Sequence, residues 1–358
     1  MKRVVLGAVL FSMMGWAQER PQLVGLSHIA VRVHDLDAAR KFYGGLLGYQ
    51  EAFTVRKDHT AVVQGGLPQS QVSAVFFKVN NRQFIVVMPE STPTEPRFVD
   101  YAIETPDAEA MRLYMRSLGY QVPDAVRKNA TNDLSFSGKD PEGTAFEIVQ
   151  YTPASLSIQT VGRFMNDDRV SLRILHVGLQ TTKKETADFY LKAFSLREFW
   201  RADPTMVAGH APGQAPPPAK KKALPQNGPL MASLSNLKLP ESDDYLEWSL
   251  SHPNPNAPAG GNAGKKGGRG PASPALPGSN PGGHIALVVP DMARAVAFIK
   301  SKPAWKDYAR ADQTEAHVGI NHKWQGNLYD ADGTRTECME ADTADGFPSP
   351  MSKAPYYQ

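Results

Sequence analysis

Four strand-like runs spread along the chain each carry a polar residue followed two positions later by a small one. The pairs are His28/Ala30, Asp100/Ala102, His176/Gly178 and His284/Ala286. Residues two apart on a strand share a face, so each small residue leaves room beside its polar neighbour. The alternate positions are apolar: Ile29 and Val31, Tyr101 and Ile103, Val177 and Leu179, Ile285 and Leu287. One face therefore suits packing under a helix, and the other suits the wall of a cavity.

A helical run follows each strand. Asp35 fits an N-cap, and Leu36, Ala39, Phe42, Tyr43 and Leu46 recur at helical spacing until Gly48. Met111, Tyr114, Met115 and Leu118 repeat the pattern up to Gly119. Thr182 and Glu185 form a capping box ahead of Phe189, Tyr190 and Phe194. The fourth run begins near Asp291. Extended segments come next in each unit, so the unit reads strand, helix, three strands, and it occurs four times. The closing strands carry a second series: Ile85, Glu147, Glu247 and Glu337. Glu147 and Glu337 each stand four residues after the glycine of an Asp-x-x-Gly turn. Leu246 and Trp248 alternate with Glu247 and place it on the opposite face.

Organisation follows from these units. A domain is expected over residues 23–152, a polar linker over 153–170, a second domain over 171–341 and a tail over 342–358. Segments 211–229 and 253–282 interrupt the second domain. They are rich in Pro, Ala and Lys and in Gly, Pro, Asn and Ser, compositions that bury too little apolar surface to order themselves. Lys220, Lys221, Lys222, Lys265, Lys266 and Arg269 lie there without interleaved aromatic residues, so they read as solvated loop and not as a nucleic-acid site. Lys2 and Arg3 precede an apolar stretch, Val4 to Trp16, that is too short to span a bilayer. Small residues Gly15 and Ala17 predict signal cleavage after Ala17, hence an exported protein with no stable membrane insertion. Net charge then falls from +3 to +1 and argues against a polyanionic partner. Cys338 is the one cysteine, which excludes an internal disulfide and a thiolate metal cluster and leaves it a packing residue.

The motifs His28-Ile-Ala-Val with Asp35-Leu-Asp-Ala-Ala-Arg-Lys-Phe-Tyr, Asp140-Pro-Glu-Gly-Thr-Ala-Phe-Glu147, His176-Val-Gly-Leu, His284-Ile-Ala-Leu-Val-Val-Pro-Asp and Asp330-Ala-Asp-Gly-Thr-Arg-Thr-Glu337 together resemble the vicinal oxygen chelate superfamily. That group includes glyoxalase I, extradiol dioxygenases and fosfomycin-resistance proteins. The resemblance implies an α+β fold in which four βαβββ modules pair into two open, cup-shaped mixed sheets. It implies metal ligands His176, Glu247, His284 and Glu337 in the C-terminal cup, for one divalent ion such as Zn, Ni, Mn or Fe. His28, Asp100 and Glu147 form a weaker second set, with Ile85 at the fourth position.

Tyr245, Arg335 and Met339 are expected on the inward face beside the glutamates. Tyr245 and Arg335 are candidate substrate contacts, with pairing to Glu337 the alternative role of Arg335. Glu247 or Glu337 is the candidate general base. His317 and His322 are candidate acid–base groups or surface residues, and His34 and His59 read as loop residues. The leading expectation is a metal-dependent lyase or isomerase acting on a small oxygenated molecule through a stabilised enediolate. The alternatives are an extradiol-type Fe(II) dioxygenase, for which Glu247 is surplus, and a non-catalytic binding protein. A homodimer is compatible with the sequence.

Overall fold

A computed structural model describes residues 19–201, 234–250 and 283–346, apart from 182, 184, 312, 313, 320 and 345. The signal stretch, both insertions, Thr182 of the capping box and nearly all of the tail lie outside the described residues.

Four βαβββ modules follow in order. The first contains β1 (Gly25–Val33), α1 (Leu36–Ala39), β2 (Gln50–Arg56), a two-residue β3 (Ala61–Val62), β4 (Val72–Lys78) and β5 (Phe84–Pro89). The second contains β6 (Phe98–Glu104), α2 (Ala108–Ser117), β7 (Arg127–Lys128), β8 (Leu134–Lys139) and β9 (Ala145–Gln150). A short helix, α3 (Leu156–Gln159), leads to the third: β10 (Ile174–Thr181), α4 (Glu185–Ala193), β11 (Arg197–Arg201), β12 (Leu234–Lys238) and β13 (Tyr245–Leu250). The fourth contains β14 (His284–Val289), α5 (Met292–Ser301), β15 (His317–Val318), β16 (Lys323–Tyr329) and β17 (Arg335–Thr343). No described helix is long and apolar enough to cross a membrane.

The local chemistry explains these elements. Asp35, Asp107 and Asp291 each accept backbone N–H groups of the first helical turn, which would otherwise lack partners. Residues Arg40–Leu46 continue α1 in the wider π geometry, which the helical spacing did not predict. Gly44 and Gly45 sit inside that stretch and lower its preference for regular α-helix. Gly48 ends it at φ +86°, and a Cβ there would come within 2.0 Å of the Asp168 carbonyl oxygen.

Pairing unites modules one and two into a sheet ordered β3-β2-β4-β5-β1-β6-β9-β8-β7. Modules three and four form β11-β12-β13-β10-β14-β17-β16-β15. In each sheet the two first strands run antiparallel at the centre, flanked by the parallel closing strands. Both sheets are open and mixed, so the expected two-cup α+β architecture is the observed one. The apolar outer faces and the helices merge into one buried cluster that includes Ile29, Val31, Tyr43, Val177, Tyr190, Ile285 and Leu287. Smaller clusters line the two concave faces.

The halves are also bridged reciprocally. Tyr43 of the first module donates to Asp330 in the turn before β17 at 3.0 Å, and Tyr190 of α4 donates to Asp140 in the turn before β9 at 2.5 Å. Both tyrosines are fully buried. Tyr190→Phe is expected to lower the unfolding free energy by about 1–3 kcal/mol, because it strips a buried carboxyl of one donor. Urea unfolding followed by circular dichroism measures this, and an unchanged midpoint would contradict it.

Within the segment expected as a linker, Leu156 and Phe164 pack into the concave cluster of the first sheet. The buried Lys78 ammonium donates to the Thr160 carbonyl oxygen. This stretch therefore lies along the inner surface of the first cup.

Candidate metal centre

Strand register builds the C-terminal site in two rows. Gly178 stands between Glu247 and His284, with Arg335 beyond His284. In the next row Tyr245, His176, Ala286 and Glu337 stand side by side. Each histidine thus faces the small residue of the opposite strand. The need is strict at Gly178, where a Cβ would lie 1.7 Å from the His284 ring. His176, His284 and Glu337 each present one donor atom within 4.8 Å of the others. Their closest approaches are 3.3 Å between the two Nε2 atoms, 3.4 Å from His176 to Glu337 and 3.6 Å from His284 to Glu337. Glu247 approaches from outside this trio, 3.8 Å from His176 and 3.6 Å from His284. The four residues proposed as ligands are therefore brought together, as three plus one.

Their surroundings tune them. Tyr245 is buried and stacks on His176 with centroids 4.5 Å apart, and its hydroxyl lies 3.6 Å from the Met339 sulfur. Burial, with the charges of Glu247 and Glu337, holds the Tyr245 hydroxyl well above its usual range. Burial lowers the His284 pKa, and the Arg335 charge lowers it further. For Glu337 burial pushes upward, but hydrogen bonds from His176 and His284 and the Arg335 charge outweigh it and hold the carboxyl well below normal. For His284 and Glu337 these shifts favour the unprotonated forms, as metal ligation requires. Two imidazoles and a carboxylate on adjoining strands, with a second carboxylate at hand, suit a divalent first-row ion.

Arg335 does not take the alternative role of pairing with Glu337. Its guanidinium lies 2.7 Å from the His284 ring nitrogens and 3.9 Å from Glu247. The register explains this, since Arg335 shares a row with those two residues and not with Glu337. His317 sits on β15, two strands removed from β17, within 3.4 Å of Gln325. His322 occupies the turn before β16 at φ 62°. Neither histidine is on the strands that carry the trio. Cys338 is buried on the apolar side of β17 and its thiol is pushed up to about 12 by burial, which leaves it a packing residue.

The N-terminal cup repeats the frame with different contents. His28 lies 3.5 Å from Asp100 and 3.6 Å from Glu147. Among the described residues, the C-terminal trio is the one set of three such donors gathered within 4.8 Å. The residue equivalent to Glu247 is Val86, which stands opposite Ala30; Ile85 stands opposite Ile29 and faces the outer core. The expected fourth position was thus misplaced by one residue. Phe84 and Ala145 take the places of Tyr245 and Arg335.

Two further side chains escaped sequence reasoning. Asn236 stands opposite Glu247 and Asn327 opposite Glu337, and each has a buried amide oxygen without a donor. Only the strand register reveals them, because neither belongs to a repeated motif.

Residues 25–148 match the family model described as the Glyoxalase/Bleomycin resistance protein/Dioxygenase superfamily. No curated protein matches the chain. Solved structures do. A variant of homoprotocatechuate 2,3-dioxygenase from B. fuscum in complex with HPCA aligns with TM-score 0.57 and 13% identity, over 93% of this chain and 75% of that one. An extradiol ring-cleaving dioxygenase from B. fuscum aligns with TM-score 0.57 and 13% identity, over 93% and 76%. The anaerobic complex of the Brevibacterium fuscum homoprotocatechuate 2,3-dioxygenase with 3,4-dihydroxyphenylacetate aligns with TM-score 0.55 and 13% identity, over 93% and 85%. At this identity the likeness establishes the fold. Residues 25–148 thus match the model of the glyoxalase/bleomycin resistance/dioxygenase superfamily, and the second half of the chain repeats the same paired-module sheet.

Proposed function

We propose that the C-terminal cup is the active site of a divalent-metal-dependent lyase or isomerase acting on a small molecule with two adjacent oxygens. The observation that carries this reading is the position of Glu247. It lies 3.6–3.8 Å from both imidazoles but outside the tight trio, so it is free to move a proton while His176, His284 and Glu337 hold the ion. When bound, the ion supplies Lewis acidity toward the two oxygens.

The chain's own groups do the rest. Glu247 takes a proton from the carbon next to the substrate carbonyl and returns it to the neighbouring carbon, the work of a general base and then a general acid. Arg335 offsets the negative charge that develops between these steps. Tyr245 fixes the His176 ring by stacking, and the amide oxygens of Asn236 and Asn327 accept from substrate hydroxyls. Export of the mature chain, with residues 1–17 as its signal, belongs to the same proposal and makes a cytoplasmic thiol adduct an unsuitable substrate.

A second reading is an extradiol-type dioxygenase. The three-donor cluster of two histidines and one carboxylate favours it, because that set is the one used by non-haem Fe(II) oxygenases. The fold likeness to ring-cleaving dioxygenases supports it too.

Reconstitution of the mature protein with Fe(II), Mn, Ni or Zn, followed by metal analysis, tests the shared core of both readings. The expected result is about one ion per chain in the wild type and at least a tenfold loss of affinity in His284→Ala. No retained metal in the wild type overturns both. With metal present, deuterium exchange into a 2-hydroxyketone that Glu247→Gln abolishes supports the first reading. Oxygen uptake with a catechol that Glu247→Gln leaves intact favours the second.

A further inference from the structure

The N-terminal cup encloses a cavity of about 220 Å³ that the proposed reaction does not use. One wall is aromatic: Phe53, Phe76 and Phe84 line it, with centroids 4.5 Å, 5.2 Å and 6.0 Å apart pairwise. The other pole is acidic. Asp100, Asp133 and Glu147 line it around the single imidazole of His28. Asp133 is 6% exposed. Its Oδ2 accepts from the Thr131 hydroxyl, while its Oδ1 is buried with no donor. Ser157 of α3 is 2% exposed and also lines the cavity with a hydroxyl that has no partner. A buried carboxylate oxygen and a buried hydroxyl without partners cost free energy unless a ligand completes them.

We propose that this cup binds an organic ammonium carried on a small apolar or aromatic body, a primary arylalkylamine being the simplest form. Charge selects the head group. Three carboxylates surround one imidazole, and an ammonium offers three N–H donors where the donors are missing. The phenylalanine wall accepts the body and favours the cation through the ring faces. A bare metal ion suits the arrangement less, because the carboxylates are spread around the cavity and do not converge as the C-terminal trio does. At about 220 Å³ the cavity is smaller than the ~300–1,000 Å³ pockets that take drug-sized ligands, and it suits a single ring or a short chain.

Calorimetric titration of the full chain with phenethylammonium chloride is the direct test. The expected result is one site with millimolar or better affinity, at least tenfold weaker binding of the neutral 2-phenylethanol, and at least a tenfold loss in Asp133→Asn. Phe76→Leu provides a second variant should Asp133→Asn fail to fold, with an expected three- to tenfold loss. His284→Ala should leave the binding unchanged, which locates it in the first cup and separates it from the metal-site proposal. The inference is overturned by the absence of binding at 10 mM ammonium, by equal affinity for 2-phenylethanol or catechol, by binding lost in His284→Ala but kept in Asp133→Asn, or by MnCl2 alone occupying this cup and excluding the ammonium.

Discussion

Asp244→Ala is expected to lower the unfolding free energy by about 3–5 kcal/mol, the scale found when one partner of a buried ion pair is removed. Asp244 is fully buried and Arg173 is 3% exposed. Arg173 donates to Asp244 Oδ1 through Nε at 2.9 Å and through Nη2. The second carboxylate oxygen accepts from the Leu26 backbone N–H at 2.8 Å and from the Gln83 amide at 3.3 Å, both in the other domain. Burial raises the Asp244 pKa, and the Arg173 charge opposes that rise. Truncation would leave the Arg173 charge desolvated and also strip the Leu26 N–H and the Gln83 amide. Asp244→Asn keeps the shape and some of the acceptors, so a smaller loss is expected there. Equilibrium urea unfolding measures both variants, and a loss below about 1 kcal/mol for Asp244→Ala would show that the pair is dispensable.

Gly178→Ala should disable the metal site with little effect on the fold. The backbone there is ordinary strand, so alanine itself fits the conformation. The obstacle is the His284 ring, whose Cε1 and Nδ1 lie 1.7 Å and 1.9 Å from where the methyl carbon would sit. The ring must swing away from His176 and Glu337, and the donor set disperses. At least a hundredfold loss of metal affinity is expected, with a far-ultraviolet spectrum like that of the wild type. Stoichiometric metal uptake at wild-type affinity would sink the idea that Gly178 cradles the ligand ring. The first cup offers a contrast, because the shorter Asp100 stands opposite Ala30 and leaves room for a methyl group there.

Much of this frame is legible in the sequence, for a physical reason. Strand period and small-residue spacing are local signals, so His28, Asp100, His176 and His284 declare their face without help from the fold. Glu147 and Glu337 are equally readable, because Asp140 and Asp330 fix the turn that precedes them by accepting the following backbone N–H groups. Ile85 was misassigned because Phe84 to Met88 is apolar throughout, so either face could have been the inner one. The register with β1 settles it. Asn236, Asn327 and Asp133 matter through neighbours on other strands, which no single segment encodes. The inward course of residues 156–164 was equally hidden, since Leu156, Ile158, Val161 and Phe164 follow no strand or helix period that would mark an inner face.

The reciprocal tyrosine–aspartate bridges have a consequence for how such a chain holds together. Each half carries one tyrosine and one aspartate of the same contact, so each half is chemically self-complementary, as an isologous surface is. What two separate copies could achieve only at sufficient concentration, the tether at residues 153–170 makes intramolecular, with an effective concentration on the order of millimolar or above. The folded state of the tandem chain therefore does not depend on dilution, whereas an assembly of free halves would.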